Sequence, residues 1–154
     1  MDQPQKTIRL NFKSYMQLIN NSVGAHLFRN FYVKTDEKGE FDALDNGNYS
    51  CAFFVSSILV IFKKLCSFHG TVEATVKDLN ESGWIEVSEP QPGDILVWEA
   101  ILLPNGLREH IGFSLGNSRA ISTTIKKKTP VEHDEHYGKT NRKITHIYRM
   151  PNWE

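Results

Sequence analysis

The chain has 154 residues and a hydrophobic content of 40%, which is enough for one core and excludes wholesale disorder. We therefore predict one domain over residues 1–154, with its core at about residues 26–150. The 18 basic and 18 acidic side chains cancel, which argues against a general nucleic-acid-binding protein.

The N-terminal segment carries no apolar run of signal-peptide length, and the apolar stretch 52–62 is too short to span a bilayer. As written, the sequence predicts a cytoplasmic protein without a membrane span, with extracellular action by another route left open. Cys51 and Cys66 lie fifteen residues apart in one predicted helix. That spacing separates them by about 22 Å, too far for a disulfide, so we predict two free thiols.

The first half of the chain is predicted to be mostly helical. The segment 14–23 carries apolar residues on one stripe before a glycine, whereas 35–48 is polar and is predicted to be a loop. A helix over about 50–67 holds too many apolar residues for a thin stripe, so we predict a central, mostly buried helix. Thr71 is placed to cap a further amphipathic helix.

The second half of the chain is predicted to form antiparallel strands. Short β-branched and aromatic runs alternate with Pro-Gly-Asp and Gly-Asn turns. The predicted strands are 84–87, 95–98, 110–115, 119–123 and 143–150. Helices followed by consecutive antiparallel strands predict an α+β domain, with N-terminal helices packed on an antiparallel sheet.

Two residues are candidates for a catalytic pair. Cys51 stands at the predicted start of the central helix, where N–H groups and the helix dipole favour a nucleophilic thiolate and can bind an oxyanion. His110 opens a strand of the sheet against which this helix must pack. Such a histidine can withdraw the thiol proton, or the two groups can rest as an ion pair.

Three segments resemble NlpC/P60-type papain-like cysteine hydrolases, in the order that the family shows. Asn48–Ser56 (NYSCAFFVS) resembles the Cys-Ser-x-Phe-Val helix start, and Gln91–Trp98 (QPGDILVW) is similar to the Pro-Gly-Asp strand. His110–Asn117 (HIGFSLGN) is similar to the His-Val-Gly hairpin. Together these segments span roughly residues 48–123, about half of the chain.

The resemblance implies a circularly permuted papain-like fold and hydrolysis of amides, usually in bacterial cell-wall peptides. It assigns Cys51 as the nucleophile and His110 as the base, and it implies no metal or cofactor. The predicted partner is a peptide or a peptidoglycan-derived substrate. CHAP amidases share the same pair of residues, and the motifs do not separate the two groups.

The residue that orients the histidine departs from the family pattern. Its place in the chain holds Ser122, followed by Thr123, where the family prefers His, Asn or Gln. A hydroxyl can accept a hydrogen bond from an imidazole N–H, although it stabilises positive charge less than a carboxylate does. The predicted loop Val131–Tyr137 offers His133 and Asp134 as alternatives if it folds back over the site.

Further polar and aromatic residues have two interpretations each. Tyr49, Tyr32 and His133 are candidates for oxyanion or substrate contacts, although aromatic packing also explains both tyrosines and the N–H of Cys51 is the safer oxyanion donor. The segment 133–136 contains two histidines three residues apart, but the further ligands that a zinc site needs are missing. We therefore predict that this segment is a charged, solvated loop.

Two other functions use the same residues. A catalytically silent peptide- or glycopeptide-binding module on this fold would account for the weak third residue and the missing export signal. An acyl or peptidyl transferase would form the same thioester on Cys51 and pass it to a different acceptor.

Overall fold

A computed structural model describes residues 3–154 of the chain. The helices in this range are α1 (Asn11–Asn21), α2 (Cys51–Ile61) and α3 (Val72–Glu81). The strands are β1 (Tyr32–Thr35), β2 (Gly39–Asp42), β3 (Ile85–Glu86), β4 (Ile95–Leu103), β5 (Gly106–Gly116), β6 (Arg119–Thr123), β7 (Pro130–Asp134) and β8 (Ile144–Arg149). A 3₁₀ turn, Gly138–Thr140, lies between the last two strands.

Six strands form one antiparallel sheet in the spatial order β3-β8-β4-β5-β6-β7, and β1 pairs with β2 in a separate ribbon. Helices combined with antiparallel sheets confirm the predicted α+β class. Trp98 on β4 lies opposite His110 on β5, and Ala120 on β6 lies opposite His133 on β7. The strand order therefore brings polar residues from three adjacent strands, β5 to β7, to one region of the sheet.

The side chains of β5 and β6 divide between the two faces of the sheet. Ile111, Phe113 and Ile121 are buried in the core that contains α2. Because successive side chains of a strand point to opposite faces, His110 and Ser122 lie on the other face.

The core on the first face is built around α2. This helix is apolar nearly all round, so it is buried rather than amphipathic. Its Phe54 ring meets the Phe113 ring of β5 edge-on, with ring centroids 5.2 Å apart. Cys51 is the first residue of the helix, and the packing of α2 against β5 therefore fixes the position of the thiol.

The helix α1 adds to this core, ahead of the core's predicted start near residue 26. Tyr15 and Ile19 are fully buried, and the Tyr15 hydroxyl donates to the carbonyl oxygen of Gly93 at 2.9 Å. Asp94 is also buried and pairs with Arg149 of β8 at 2.7 Å. The Pro-Gly-Asp segment thus holds α1 and β8 in place, so its role in this chain is structural.

Several elements differ from the sequence predictions. The strands β4 and β5 are longer than predicted, so His110 lies inside β5 and does not open that strand. The central helix ends at Ile61 rather than near residue 67, since Lys63 adopts a left-handed φ of 57°. The predicted loop 35–48 contains β2, and the predicted loop 131–137 overlaps β7. Both strands are short and polar, and they gain their hydrogen bonds from a neighbouring strand, which local composition does not reveal.

Other local predictions are confirmed. Thr71 caps α3, since its Oγ1 accepts a hydrogen bond from the N–H of Ala74 at 3.2 Å. Both cysteines are free thiols. Within residues 3–154, none of the helices has the length and apolar character needed to cross a membrane.

Candidate active site

Both residues of the predicted catalytic pair line one cavity of about 420 Å³. Cys51 reaches it from the start of α2, and His110 reaches it from β5. Tyr49 also lines the cavity, whereas Tyr32 lies outside it, 72% exposed on β1. A cavity of this volume is in the usual range for small ligands.

Burial controls the ionisation of the Cys51 thiol. Burial raises the pKa of Cys51 above its ordinary value, and it outweighs the backbone N–H groups of Ile111 and Ala52, which lower it. The positive charge of Arg142 also lowers this pKa, by a smaller amount. The thiolate expected from the helix start alone is therefore not the resting form, because desolvation penalises the charge.

The imidazole of His110 is uncharged as well. Burial, together with the nearby charge of Arg142, lowers the pKa of His110 to about 3. In the part of the chain that the structure describes, no hydrogen bond joins Cys51 to His110. A thiol and an imidazole that are both neutral favour proton transfer during attack on a substrate over a resting ion pair.

Hydrogen bonds link His110 to two further strands. Ser122 Oγ lies 2.9 Å from His110 Nε2 and 2.6 Å from His133 Nε2. The Tyr137 hydroxyl lies 3.1 Å from the same Ser122 oxygen, and His133 Nδ1 lies 2.8 Å from the carbonyl oxygen of Asp134. The Ser122 side chain is fully buried, and these partners satisfy its hydroxyl.

These contacts determine which imidazole nitrogens carry protons. Burial lowers the pKa of His133, and its neutral ring must donate from Nδ1, because the carbonyl of Asp134 only accepts. His133 Nε2 is then an acceptor, so the single hydroxyl proton of Ser122 goes to it. His110 in turn donates from Nε2 to Ser122, which leaves His110 Nδ1 as the basic nitrogen.

Both candidate segments for the third residue take part in this network. Ser122 contacts His110 directly, and His133 lies one hydrogen bond further away. Asp134 contributes its backbone carbonyl, while its carboxylate accepts from backbone N–H groups of the following turn. Thr123 lines the cavity. Over residues 3–154, no three side chains of the His, Cys, Asp or Glu type are grouped to hold a metal ion.

Two aromatic residues that the sequence did not predict hold the imidazoles in place. The Trp98 ring lies 5.4 Å from the His110 ring, centroid to centroid. The Tyr137 ring stacks on His133 with centroids 4.3 Å apart. The position of Trp98 at the end of the Pro-Gly-Asp strand is a signal that could have identified it, whereas Tyr137 has no such signal.

A third unpredicted residue, Arg142, brings a positive charge to the cavity wall. Its Nε donates to the carbonyl oxygen of Glu99 at 2.9 Å, and its Nη2 donates to that of Arg108 at 2.8 Å. The side chain is half-buried, and burial lowers the pKa of Arg142. A guanidinium held in this way stays charged and keeps a fixed orientation.

The close approach of β5 to β6 behind the network requires a glycine. A Cβ at Gly112 would lie 2.7 Å from the carbonyl oxygen of Ile121 and 2.8 Å from Ser122 Cβ. We expect Gly112→Ala to lower the free energy of unfolding by about 1–3 kcal/mol through overpacking, and to slow any turnover that depends on Ser122. Urea denaturation measures the first effect.

The matched control for this substitution is Gly70→Ala. A Cβ at Gly70 would meet only the Phe31 ring, at 3.6 Å, which is ordinary van der Waals contact. We expect its unfolding midpoint to stay near that of the wild type. Equal midpoints for the two variants would contradict the requirement for glycine at position 112.

The cavity thus combines a thiol at a helix start, an imidazole with a defined basic nitrogen, and backbone N–H groups beside the thiol. This set of groups can carry out nucleophilic attack on a carbonyl carbon and bind the resulting oxyanion. Neither a scan against protein-family models nor a search of curated proteins found a match to this chain.

Proposed function

We propose that this protein is a cysteine-dependent amide hydrolase of the papain-like, NlpC/P60-related type, acting on peptides that include bacterial cell-wall peptides. The observation that carries the proposal is the His110–Ser122–His133 network, which leaves a basic nitrogen on an imidazole that shares a cavity with Cys51. The motif resemblance of residues 48–123 supports the same conclusion.

The proposed reaction runs through a thioester. His110 Nδ1 takes the Cys51 proton as the sulfur attacks the amide carbonyl, and backbone N–H groups at the start of α2 hold the oxyanion. The imidazolium then protonates the departing amine, which leaves the acyl group on sulfur. A water molecule, deprotonated by His110, attacks the thioester and releases a carboxylic acid and the free thiol.

Hydrolysis is tested with a panel of short peptides and cell-wall muropeptides in water enriched in ¹⁸O. Mass spectrometry should find a new amine and a new acid that carries one ¹⁸O atom, since water supplies one oxygen to the acyl product. The Cys51→Ala variant is the matched control and should give neither product.

The same assay separates the two rival functions. A transferase would release the amine but form a new amide with an added amine acceptor, without ¹⁸O in the acyl product. A silent binding module would retain the peptides without converting any of them, and this result would overturn the proposal.

A further inference from the structure

Arg142, whose side chain forms no ion pair within residues 3–154, lines the cavity that holds Cys51. The guanidinium of Arg142 uses two of its five N–H groups on backbone carbonyls, and within residues 3–154 it forms no ion pair with Asp or Glu. Arg149, by contrast, binds both carboxylate oxygens of Asp94, at 2.9 and 2.7 Å. Arg142 therefore has donors left for a carboxylate that the described chain does not supply.

Large apolar side chains line the same cavity while they remain open to solvent. Leu107 is 71% exposed, and Ile101 on the facing strand of the β4–β5 hairpin is 39% exposed. Ile125, after β6, is 47% exposed and also lines the cavity. Apolar side chains gathered at a cavity instead of the core are typical of a surface that binds an apolar group.

Acidic residues of the cavity are more exposed than Arg142. Glu73 and Glu109 line it as well, but both are exposed to solvent, whereas Arg142 is half-buried. Water screens exposed charges more effectively than partly buried ones. Of these three charges, that of Arg142 is therefore the one that water screens least.

We propose that the cavity selects short peptides or N-acyl amino acids that carry a carboxylate and a bulky apolar side chain close to the scissile amide. The carboxylate binds Arg142, and the apolar side chain packs against Ile101 and Leu107. This specificity rests on the proposed hydrolase function, which it narrows to one class of substrate. A terminal and a side-chain carboxylate offer Arg142 the same chemistry.

Binding is measured separately from turnover by NMR titration of the protein with N-acetyl-leucine, N-acetyl-leucinamide and N-acetylglycine. We expect the leucine acid to bind about tenfold or more tightly than its amide, because the neutral amide has no negative charge to form an ion pair with Arg142. N-acetylglycine should also bind more weakly, since it lacks the apolar side chain. N-acetyl-glutamyl-leucinamide, whose carboxylate is on a side chain, distinguishes the two carboxylate sources.

Substitutions test which residue causes the preference for the acid over the amide and which causes the preference for leucine over glycine. Arg142→Met should bring the acid and the amide to equal affinity. Arg142→Lys should keep part of the difference in affinity, because lysine has the positive charge but lacks the paired N–H donors of the guanidinium. Arg119→Met removes a positive charge from an exposed pair with Glu132 and should leave the ratio unchanged. Leu107→Ser should remove the preference for leucine over glycine.

The two proposals fail in different ways in this experiment. Equal binding of the acid and the amide to the wild-type protein would overturn the proposed substrate class, whether or not the protein hydrolyses peptides. Selective binding with an unchanged acid-to-amide ratio in Arg142→Met would overturn the assignment to Arg142. Hydrolysis of the N-acetyl ligands would release acetate, which the same spectra detect. Selective binding without acetate, and without cleavage in the peptide panel, would support the specificity of the cavity and count only against hydrolysis.

Discussion

Replacing Cys51 with alanine should lower the rate of peptide hydrolysis by at least about 10⁴-fold, because no other group in the cavity can form the thioester. The fold should survive, since alanine keeps the Cβ that packs at the start of α2. The loss of one sulfur atom should cost no more than about 1 kcal/mol of unfolding free energy. Product formation by mass spectrometry and urea denaturation measure the two effects.

The chain supplies its own control for this substitution. Cys66 is an exposed free thiol, which contacts Ser82 Oγ at 3.8 Å and lies outside the cavity. Cys66→Ala should keep the wild-type rate, and iodoacetamide should inactivate both this variant and the wild type. Turnover that persists in Cys51→Ala, or disappears in Cys66→Ala, would contradict the assignment of the nucleophile.

Breaking the link from Ser122 to its neighbours should disable His110 without removing it. Ser122→Ala leaves the Nε2–H of His110 without its acceptor at 2.9 Å, so the proton is no longer held on that nitrogen. Loss of a buried hydrogen bond to a group that becomes charged costs about 1.5–3 kcal/mol, so we expect kcat to fall roughly 10–100-fold. KM should change little, because Ser122 lies outside the lining of the cavity.

Two substitutions of His133 distinguish a role as hydrogen-bond acceptor from a role in packing. His133→Gln can present an amide oxygen to the Ser122 hydroxyl, whereas His133→Leu offers no acceptor. We expect the glutamine variant to retain most of kcat and the leucine variant to fall as far as Ser122→Ala. His136→Leu, at a half-exposed position of the same segment, is the control. Equal rates in the Leu and Gln variants would contradict the proposed relay.

The pH dependence follows from the same proton positions. When His133 becomes charged, its Nε2 donates a hydrogen bond to Ser122. The Ser122 hydroxyl can then donate to His110 Nε2, which places the proton of the His110 ring on Nδ1 and removes the basic nitrogen. Because burial lowers the pKa of His133, wild-type activity should be lost only as pH falls below the usual histidine range. His110, with a pKa of about 3, stays neutral until the solution is strongly acidic.

The fall in kcat/KM at low pH, the acid limb of the pH profile, therefore identifies the residue that titrates. His133→Gln carries no proton-dependent charge and should keep its activity at pH values where the wild type has lost it. The measurement is kcat/KM as a function of pH for both proteins. An acid limb at the same pH in the two proteins would assign it to another group.

Much of the frame of the candidate site was predictable from local sequence. The helix start at Cys51, the Pro-Gly-Asp turn and the Gly-Asn hairpin follow from turn residues and apolar patterns that act over a few positions. The hairpin also places His110 and Ser122 on adjacent strands, because its short turn sets the register between β5 and β6. For this reason the sequence identified both ends of that hydrogen bond.

Other features depend on contacts between residues far apart in the chain. The segment of His133 is predicted to be a loop, and it becomes β7 only because β6 offers it backbone partners. Arg142 reaches the cavity because the carbonyls of Glu99 on β4 and Arg108 on β5 hold its guanidinium. The ionisation of Cys51 was also set by the tertiary structure, because the helix start is a local feature, whereas desolvation depends on everything that packs around the thiol.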